Sequence, residues 1–140
     1  MGARQATCVA ISGRAVLIEG PPGSGKSSLA LALIDRGATL VGDDSVSLEV
    51  LDGRLIAHPH AKTRGLLEVR NLGLVDMPVC EAIPIALLVR LDDHAPRFIE
   101  ESAHIDIEGR RLPAIALWPE SPVLALKVEI ALSRFGLKIE

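Results

Sequence analysis

The sequence has very few aromatic side chains: one Trp, two Phe and no Tyr in 140 residues. Proteins that bind single-stranded nucleic acids stack the bases on aromatic rings, and this chain has few rings to offer. Its net charge of −3 at pH 7 also gives no electrostatic reason to bind a polyanion. We therefore expect neither a nucleic acid nor an acidic membrane surface to be a partner.

Cysteine and long apolar runs are also scarce. Cys8 and Cys80 have apolar neighbours and no CxxC spacing, which favours buried thiols in a reducing compartment over a disulfide or a reactive site. The N-terminal segment does not read as a signal peptide, and the longest apolar run, residues 83–89, is too short to cross a bilayer. We expect a cytoplasmic protein with a single domain over residues 1–140.

The first third of the sequence reads as strand, loop and helix. Apolar runs at residues 6–11 and 15–19 flank a Ser-Gly-Arg turn, which predicts a hairpin and therefore an antiparallel neighbour for the second strand. A helical pattern follows over residues 26–36 and ends at Gly37. A short strand, residues 38–42, then ends in two aspartates.

The remaining sequence adds further strands. Residues 46–50 and 54–57 flank an Asp-Gly turn, a strong hairpin signal. A polar loop is predicted over residues 58–65, and the apolar run at residues 83–91 predicts a buried central strand.

The C-terminal part predicts a strand pair and a helix. The strand pair is expected at residues 104–107 and 112–118. Ser121 is expected to cap a terminal helix whose first residue is Pro122 and which ends at Gly136. The order of all these elements predicts an α/β fold.

The segment GPPGSGKS, residues 20–27, matches the phosphate-loop pattern GxxxxGK[ST]. Glycines let backbone N–H groups approach phosphates closely, and the helix that follows presents its N-terminus to the same anion. Lys26 supplies a charge to the outer phosphates and the Ser27 hydroxyl suits Mg²⁺. The predicted nucleotide-binding residues are Gly20, Pro21, Pro22, Gly23, Ser24, Gly25, Lys26, Ser27 and Ser28.

Two acidic residues follow this loop closely. Asp43 and Asp44 end a predicted strand 17 positions after Lys26. If that strand lies next to the loop, one carboxylate reaches the Mg²⁺ and the other reaches the group that accepts the phosphate. A plain turn is the alternative interpretation of the pair.

Two other groups carry weaker signals. His58 and His60 could both bind a metal, but the sequence shows no third ligand. A solvated loop is therefore the favoured interpretation. Glu68 and Arg70 would share one face of a strand. They are either a surface ion pair or part of the lining of an active site.

The combination of these motifs resembles the catalytic domain of the HPr kinase/phosphorylase family. The matching stretches are residues 8–48, which include the phosphate loop and RGATLVGDD, and residues 64–77, which include LLEVRNLG. The segment at residues 119–132 is similar to that of the short, single-domain members from alphaproteobacteria.

The resemblance implies specific roles for the site residues. The phosphate loop would hold the phosphates of ATP and, through Ser27, Mg²⁺. Asp43 would be the catalytic general base towards the acceptor serine, with Lys26 as the other catalytic residue. Asp44 would position the metal, Glu68 would bear on the metal, and Arg70 would support them.

The resemblance also implies a fold and a biology. The fold would be a phosphate-loop kinase core with a mixed sheet, similar to phosphoenolpyruvate carboxykinase. The activity would be phosphorylation of a serine of the phosphocarrier protein HPr, reversed by phosphorolysis, in regulation of the phosphotransferase system. The family forms hexamers, so a homo-oligomer is expected, and the additional N-terminal domain of the long members is expected to be absent.

Two departures from the family keep other functions open. Gln5 stands where the family usually has a His, and Pro122 stands close to the place of an arginine that the long members carry. One alternative is therefore a regulatory nucleotide-binding module without phosphotransfer. A small-molecule kinase is a second alternative, although the sequence lacks the arginine-rich lid that such enzymes need.

Overall fold

A computed structural model describes residues 2–139, and within that range the chain forms eleven strands and two helices. Nine strands form one mixed sheet, and two form a separate hairpin. The strands are β1 (Gly2–Arg4), β2 (Thr7–Ile11), β3 (Arg14–Glu19), β4 (Thr39–Gly42), β5 (Val46–Leu51), β6 (Arg54–Pro59), β7 (Leu66–Val69), β8 (Gly73–Asp76), β9 (Ile83–Leu91), β10 (Ala103–Ile107) and β11 (Arg110–Leu117). The helices are α1 (Lys26–Asp35) and α2 (Leu124–Phe135).

The large sheet is organised around β9. Its order is β1-β5-β6-β9-β3-β2-β4, with β10 and β11 attached through β9. β9 is parallel to β3 and to β11, and its first two residues pair antiparallel with β6. β2 is antiparallel to β3, as the hairpin pattern predicts. The predictions of an α/β fold with a mixed sheet and of a central strand at residues 83–91 are confirmed.

The two faces of the sheet carry separate apolar clusters. In β3, Val16 and Ile18 pack with the helix residues Leu33 and Leu132, whereas Leu17 belongs to the cluster on the other face. This alternation follows from the two-residue period of a strand. Because β3 is buried on both faces, the loop that follows it has a rigid base.

The start of the terminal helix differs from the prediction. α2 begins at Leu124 with Val123 as its cap residue, rather than at Pro122. Residues 121–123 form a turn instead, in which the N–H of Val123 donates to Ser121 Oγ at 3.3 Å and the N–H of Leu124 donates to the Ser121 carbonyl at 3.3 Å. Ser121 therefore serves the turn that precedes the helix. The helix ends at Gly136, as predicted.

Two strands extend beyond the sequence pattern. β6 continues through His58 and Pro59, which pair with Ser47 and Val46 of β5, so the loop predicted over residues 58–65 begins at residue 60. β1 was not predicted and pairs with β5 at the edge of the sheet. Within residues 2–139, neither helix has the length and apolar character needed to span a membrane.

Candidate functional site

The phosphate loop connects β3 to α1 and turns sharply at two glycines. Gly23 and Gly25 have φ angles of 78° and 97°, in the left-handed region that glycine adopts without a steric penalty. α1 begins directly after Gly25, and its first turn contains no acidic residue. The positive end of the helix dipole therefore faces the loop with no acidic residue of the helix itself beside it. This arrangement suits an anion with several oxygens.

The loop lies so close to β9 that its first glycine has no room for a side chain. A Cβ atom on Gly20 would lie 2.7 Å from Ser24 Oγ and 3.2 Å from the carbonyl oxygen of Leu91. Lys26 folds over the same segment, and its Nζ donates to the carbonyls of Gly20 at 2.8 Å and Pro21 at 3.3 Å. The ammonium group is thus held at the mouth of the loop.

The strand that carries the two aspartates is not next to the loop strand, because β2 lies between β4 and β3. Both β3 and β4 are antiparallel to β2, so they run parallel to each other and their C-terminal ends reach the same edge of the sheet. The prediction that an adjacent strand brings the aspartates to the loop is therefore wrong about adjacency. The predicted meeting of the acid with the loop nevertheless occurs.

Asp43 is the centre of a buried hydrogen-bond cluster. Its side chain is 7% exposed. Oδ1 accepts hydrogen bonds from Ser27 Oγ at 2.7 Å and from Thr7 Oγ1 at 3.0 Å, and Oδ2 accepts one from the N–H of Glu68 at 3.0 Å. A buried carboxylate is tolerated only with such partners. Asp43 therefore links three separate elements, α1, β2 and β7.

Asp44 is placed quite differently from its neighbour. It is exposed, and its backbone has a φ of 67°, which is uncommon for a residue with a side chain. Its N–H donates to Thr7 Oγ1 at 3.4 Å. The left-handed backbone separates the two adjacent carboxylates into one buried and one open position.

Two clefts meet at the phosphate loop. The larger has a volume of about 860 Å³ and the smaller about 420 Å³, and Pro22, Lys26 and Asp44 line both. The larger is otherwise lined by residues that include Gln5 and Arg90, and the smaller by Ser27, Ser28, Asp43, Glu68 and Arg70 among others. Every side chain predicted to act beside the loop therefore lines one cleft or the other.

The smaller cleft is lined by residues whose side chains carry possible oxygen ligands for a metal. Ser27, Asp43, Asp44 and Glu68 all line it. Oxygen ligands of this kind are what Mg²⁺ prefers in proteins. The donor set therefore fits a magnesium ion accompanying phosphate oxygens.

The sequence interpretation missed three polar residues of this region. Thr7 is fully buried in an otherwise apolar strand and gives no signal of its own. Glu19 and Arg90 are register partners on β3 and β9, and both line the larger cleft. Glu19 is paired with Arg4, with Arg4 Nη2 donating at 3.2 Å, and lies 3.8 Å from Arg90. Only the pairing of distant strands brings these charges together.

The two histidines of the HPH segment lie away from the clefts. His58 Nε2 lies 2.7 Å from Glu49 Oε1 across the β5–β6 hairpin, and His60 Nδ1 accepts a hydrogen bond from the N–H of Lys62 at 3.2 Å. Nowhere in residues 2–139 do three His, Cys, Asp or Glu side chains form a group suited to a metal on their own. The histidine pair therefore gives no metal site of that kind.

Both cysteines are free thiols, as the sequence predicts. Burial raises the pKa of the Cys8 thiol far above its usual value, and the nearby Cys80 raises it further. Burial also raises the pKa of Cys80, against a lowering by a backbone hydrogen bond. Neither thiol is activated as a nucleophile.

The chain resembles known proteins in sequence and in structure. The family model of the HPr serine kinase C-terminal domain matches residues 2–92. An HPr kinase/phosphorylase from Clostridium tetani is 47% identical over 70 residues, which are 50% of this chain and 23% of that protein. One from Clostridium beijerinckii is 49% identical over 69 residues, 49% of this chain and 23% of that protein.

A solved structure of the HPr(Ser) kinase/phosphatase from Coxiella burnetii matches most of the fold. It is 28% identical, with a TM-score of 0.80, and the match covers 93% of this chain and 86% of that one. The family match includes the phosphate loop, both aspartates, Glu68 and Arg70. The chain belongs to the HPr serine kinase C-terminal domain family.

Proposed function

We propose that this chain is the catalytic domain of an ATP-dependent protein-serine kinase whose acceptor is an HPr-like phosphocarrier. The observation that carries the proposal is the hydrogen bond from Ser27 of the phosphate loop to Asp43 at 2.7 Å, with the open carboxylate of Asp44 beside it. Phosphoryl transfer to a hydroxyl requires a phosphate-binding loop with carboxylates next to it. The family membership and the names of the relatives support this acceptor.

The loop residues would bind and orient the nucleotide. Backbone N–H groups of residues 20–28 would hold the phosphate oxygens, and Lys26 would exchange its loop carbonyls for the outer phosphates. Ser27 and Glu68 would hold Mg²⁺, with Asp43 orienting the Ser27 hydroxyl. The metal supplies positive charge to the transferring group when bound. Fixed donors of this kind stabilise the charge of the transition state more than water does.

The acceptor serine must lose a proton as its oxygen bonds to the γ-phosphorus and the bond to the leaving ADP oxygen breaks. The family resemblance implies that Asp43 takes that proton. The contacts favour the reverse division of roles, because Asp43 is buried and its oxygens already accept three hydrogen bonds, whereas Asp44 is open to both clefts. Asp44 would therefore take the proton and Asp43 would orient Ser27. In phosphorolysis, Asp44 would return the proton to the serine.

We also propose the fold type, the cellular compartment and the assembly that the family implies. The core would be of the phosphate-loop kinase type similar to phosphoenolpyruvate carboxykinase, in a single domain over residues 1–140, and the protein would act in the cytoplasm as a homo-oligomer. Gln5 lines the larger cleft in place of the usual family histidine. Pro122 stands close to the place of the arginine that the long members carry, and we therefore expect the kinase direction to exceed phosphorolysis.

One incubation tests the proposed function. The protein, Mg²⁺, γ-labelled ATP and the HPr-like protein of the same organism are combined, and phosphoserine on the carrier is located by mass spectrometry. A carrier with its acceptor serine replaced by alanine is the control. Inorganic phosphate added afterwards measures reversal. Tight binding of nucleotide without labelled carrier would instead establish the regulatory nucleotide-binding module.

A further inference from the structure

Two buried residues with polar side chains touch each other. Within residues 2–139, Thr7 and Asp43 are the buried residues with polar side chains, at 0% and 7% exposure. A buried hydroxyl destabilises a fold unless it is hydrogen-bonded. Valine has nearly the shape of threonine and would match the apolar neighbours Ala6 and Cys8, so the Thr7 hydroxyl calls for a reason beyond packing.

The contacts of that hydroxyl join the two aspartates. Thr7 Oγ1 donates to Asp43 Oδ1 at 3.0 Å and accepts from the N–H of Asp44 at 3.4 Å. Asp43 Oδ1 also accepts from Ser27 Oγ at 2.7 Å. Asp43 Oδ1 is therefore shared by the hydroxyls of Thr7 and Ser27. Through this oxygen, Thr7 connects the backbone of Asp44 to the phosphate loop.

The backbone of Asp44 needs such support. Its φ of 67° is uncommon for a residue with a side chain, and such conformations persist only where surrounding contacts hold them. The N–H of Asp44 is held by its hydrogen bond to Thr7 Oγ1. Without it, the segment after β4 would relax, and the carboxylate at the junction of the clefts would lose its orientation.

The geometry points to Thr7 as a positioning residue for phosphoryl transfer, which holds Asp44 in the left-handed conformation and fixes the Asp43 oxygen that orients Ser27. This inference rests on the proposed function. Thr7 lies behind the wall of the smaller cleft with no exposed surface, so it would act through the two aspartates. Its loss should therefore lower kcat much more than it changes the KM for ATP.

The test compares two variants of Thr7 with one control. Thr7→Val removes the hydroxyl at nearly constant volume, and Thr7→Ser retains it. Thr39→Val makes the same change in β4, where Thr39 pairs with Ala10 of β2. We expect T7V to lower kcat by about tenfold or more with the KM for ATP within about twofold, and T7S and T39V to stay within about threefold of the unchanged protein.

Thermal unfolding is measured for all three variants. A folded T7V with an unchanged kcat would overturn the inference. So would equal losses in T7V and T7S, since a purely structural role would not distinguish the retained hydroxyl.

A second measurement separates this inference from the proposed function. Hydrogen exchange of the Asp44 amide, followed by NMR, does not require any activity. We expect the amide to exchange faster in T7V than in T7S and T39V. If the unchanged protein transfers no phosphate, the proposed function fails, and this exchange alone decides the role of Thr7 in holding Asp44. Equal exchange rates in the three variants would overturn it.

Discussion

Two of the places where an acidic side chain meets a hydrogen-bonding partner in this molecule differ in how they are built. At the end of β4, Asp43 receives donors from three different elements and is 7% exposed. On the β5–β6 hairpin, Glu49 meets His58, and their side chains are 32% and 21% exposed. We call the first place the loop site and the second the hairpin pair.

The number of elements that form each place indicates which of the two is functional. The hairpin pair needs only one turn to form, because its two residues lie on neighbouring strands. The loop site needs β2, β4, β7 and α1 to be in place at once. Convergence of several elements on one buried carboxylate orders it much more firmly than a partly exposed pair. Similar residue types thus give a preorganised site in one place and a surface contact in the other.

The largest expected effect comes from the two aspartates. Asp44→Asn should lower kcat for phosphoryl transfer by about 10²–10⁴-fold, because an amide cannot accept the serine proton. Asp43→Asn should weaken Mg²⁺-dependent nucleotide binding as well, because an amide nitrogen in place of either oxygen would face donors. Steady-state kinetics with titrations of Mg²⁺ and nucleotide measure both. Normal nucleotide binding with lost transfer in D43N, and normal turnover in D44N, would return the base to Asp43.

A smaller effect is expected from Ser27→Ala. The variant removes a hydroxyl that lines the smaller cleft and donates to Asp43. We expect the Mg²⁺ concentration for half-maximal activity to rise by about tenfold, since one ligand and its orientation are lost. Magnesium titrations at saturating ATP measure it. An unchanged midpoint would remove Ser27 from the metal site.

The next effect concerns stability. Gly20→Ala should lower the free energy of unfolding by about 1–3 kcal/mol, because its Cβ would lie 2.7 Å from Ser24 Oγ and 3.2 Å from Leu91. Gly53→Ala, near the hairpin pair, is the matched control. The φ of Gly53 is 76°, but a Cβ atom there would have no atom within 4 Å apart from its chain neighbours. This substitution should therefore lower the free energy of unfolding by about 1–2 kcal/mol through the backbone conformation alone. Urea unfolding measures both. Nucleotide binding should fall only in G20A.

The smallest effect is expected at the hairpin pair itself. His58→Gln should change the free energy of unfolding by no more than about 1 kcal/mol, as is usual for a partly exposed pair of side chains. Phosphoryl transfer should stay at the unchanged level, because His58 lines neither cleft. A loss of transfer comparable to that of D44N would erase the distinction between the two places.

Sequence patterns predicted what is local. The phosphate loop, the β2–β3 hairpin and the left-handed Gly37 that follows the first helix depend on residues close together in the chain, and each pattern has a steric cause. The Ser-Pro start of the last helix is also local but wrong, because the chain uses Ser121 in a turn before Leu124.

What the sequence could not predict is long-range pairing. The insertion of β2 between β3 and β4 depends on which strands pair, and so does the edge strand β1. Thr7 looks like any β-branched strand residue until β4 lies beside β2, since β-branched residues are common in strands. The family resemblance implied roles for Asp43, Asp44 and Glu68. Which role each residue can take depends on how deeply it is buried, and a motif does not contain that information.

The position of β9 in the sheet has a consequence for how the molecule assembles. β9 joins β3, β6 and β11, yet it occupies residues 83–91 of 140. A nascent chain therefore exposes β3 and β6 before the strand that unites them has been made. Because such pairings close long loops, folding should be slow for a chain of this size. The exposed strand edges of the incomplete sheet are the places where aggregation would begin during synthesis.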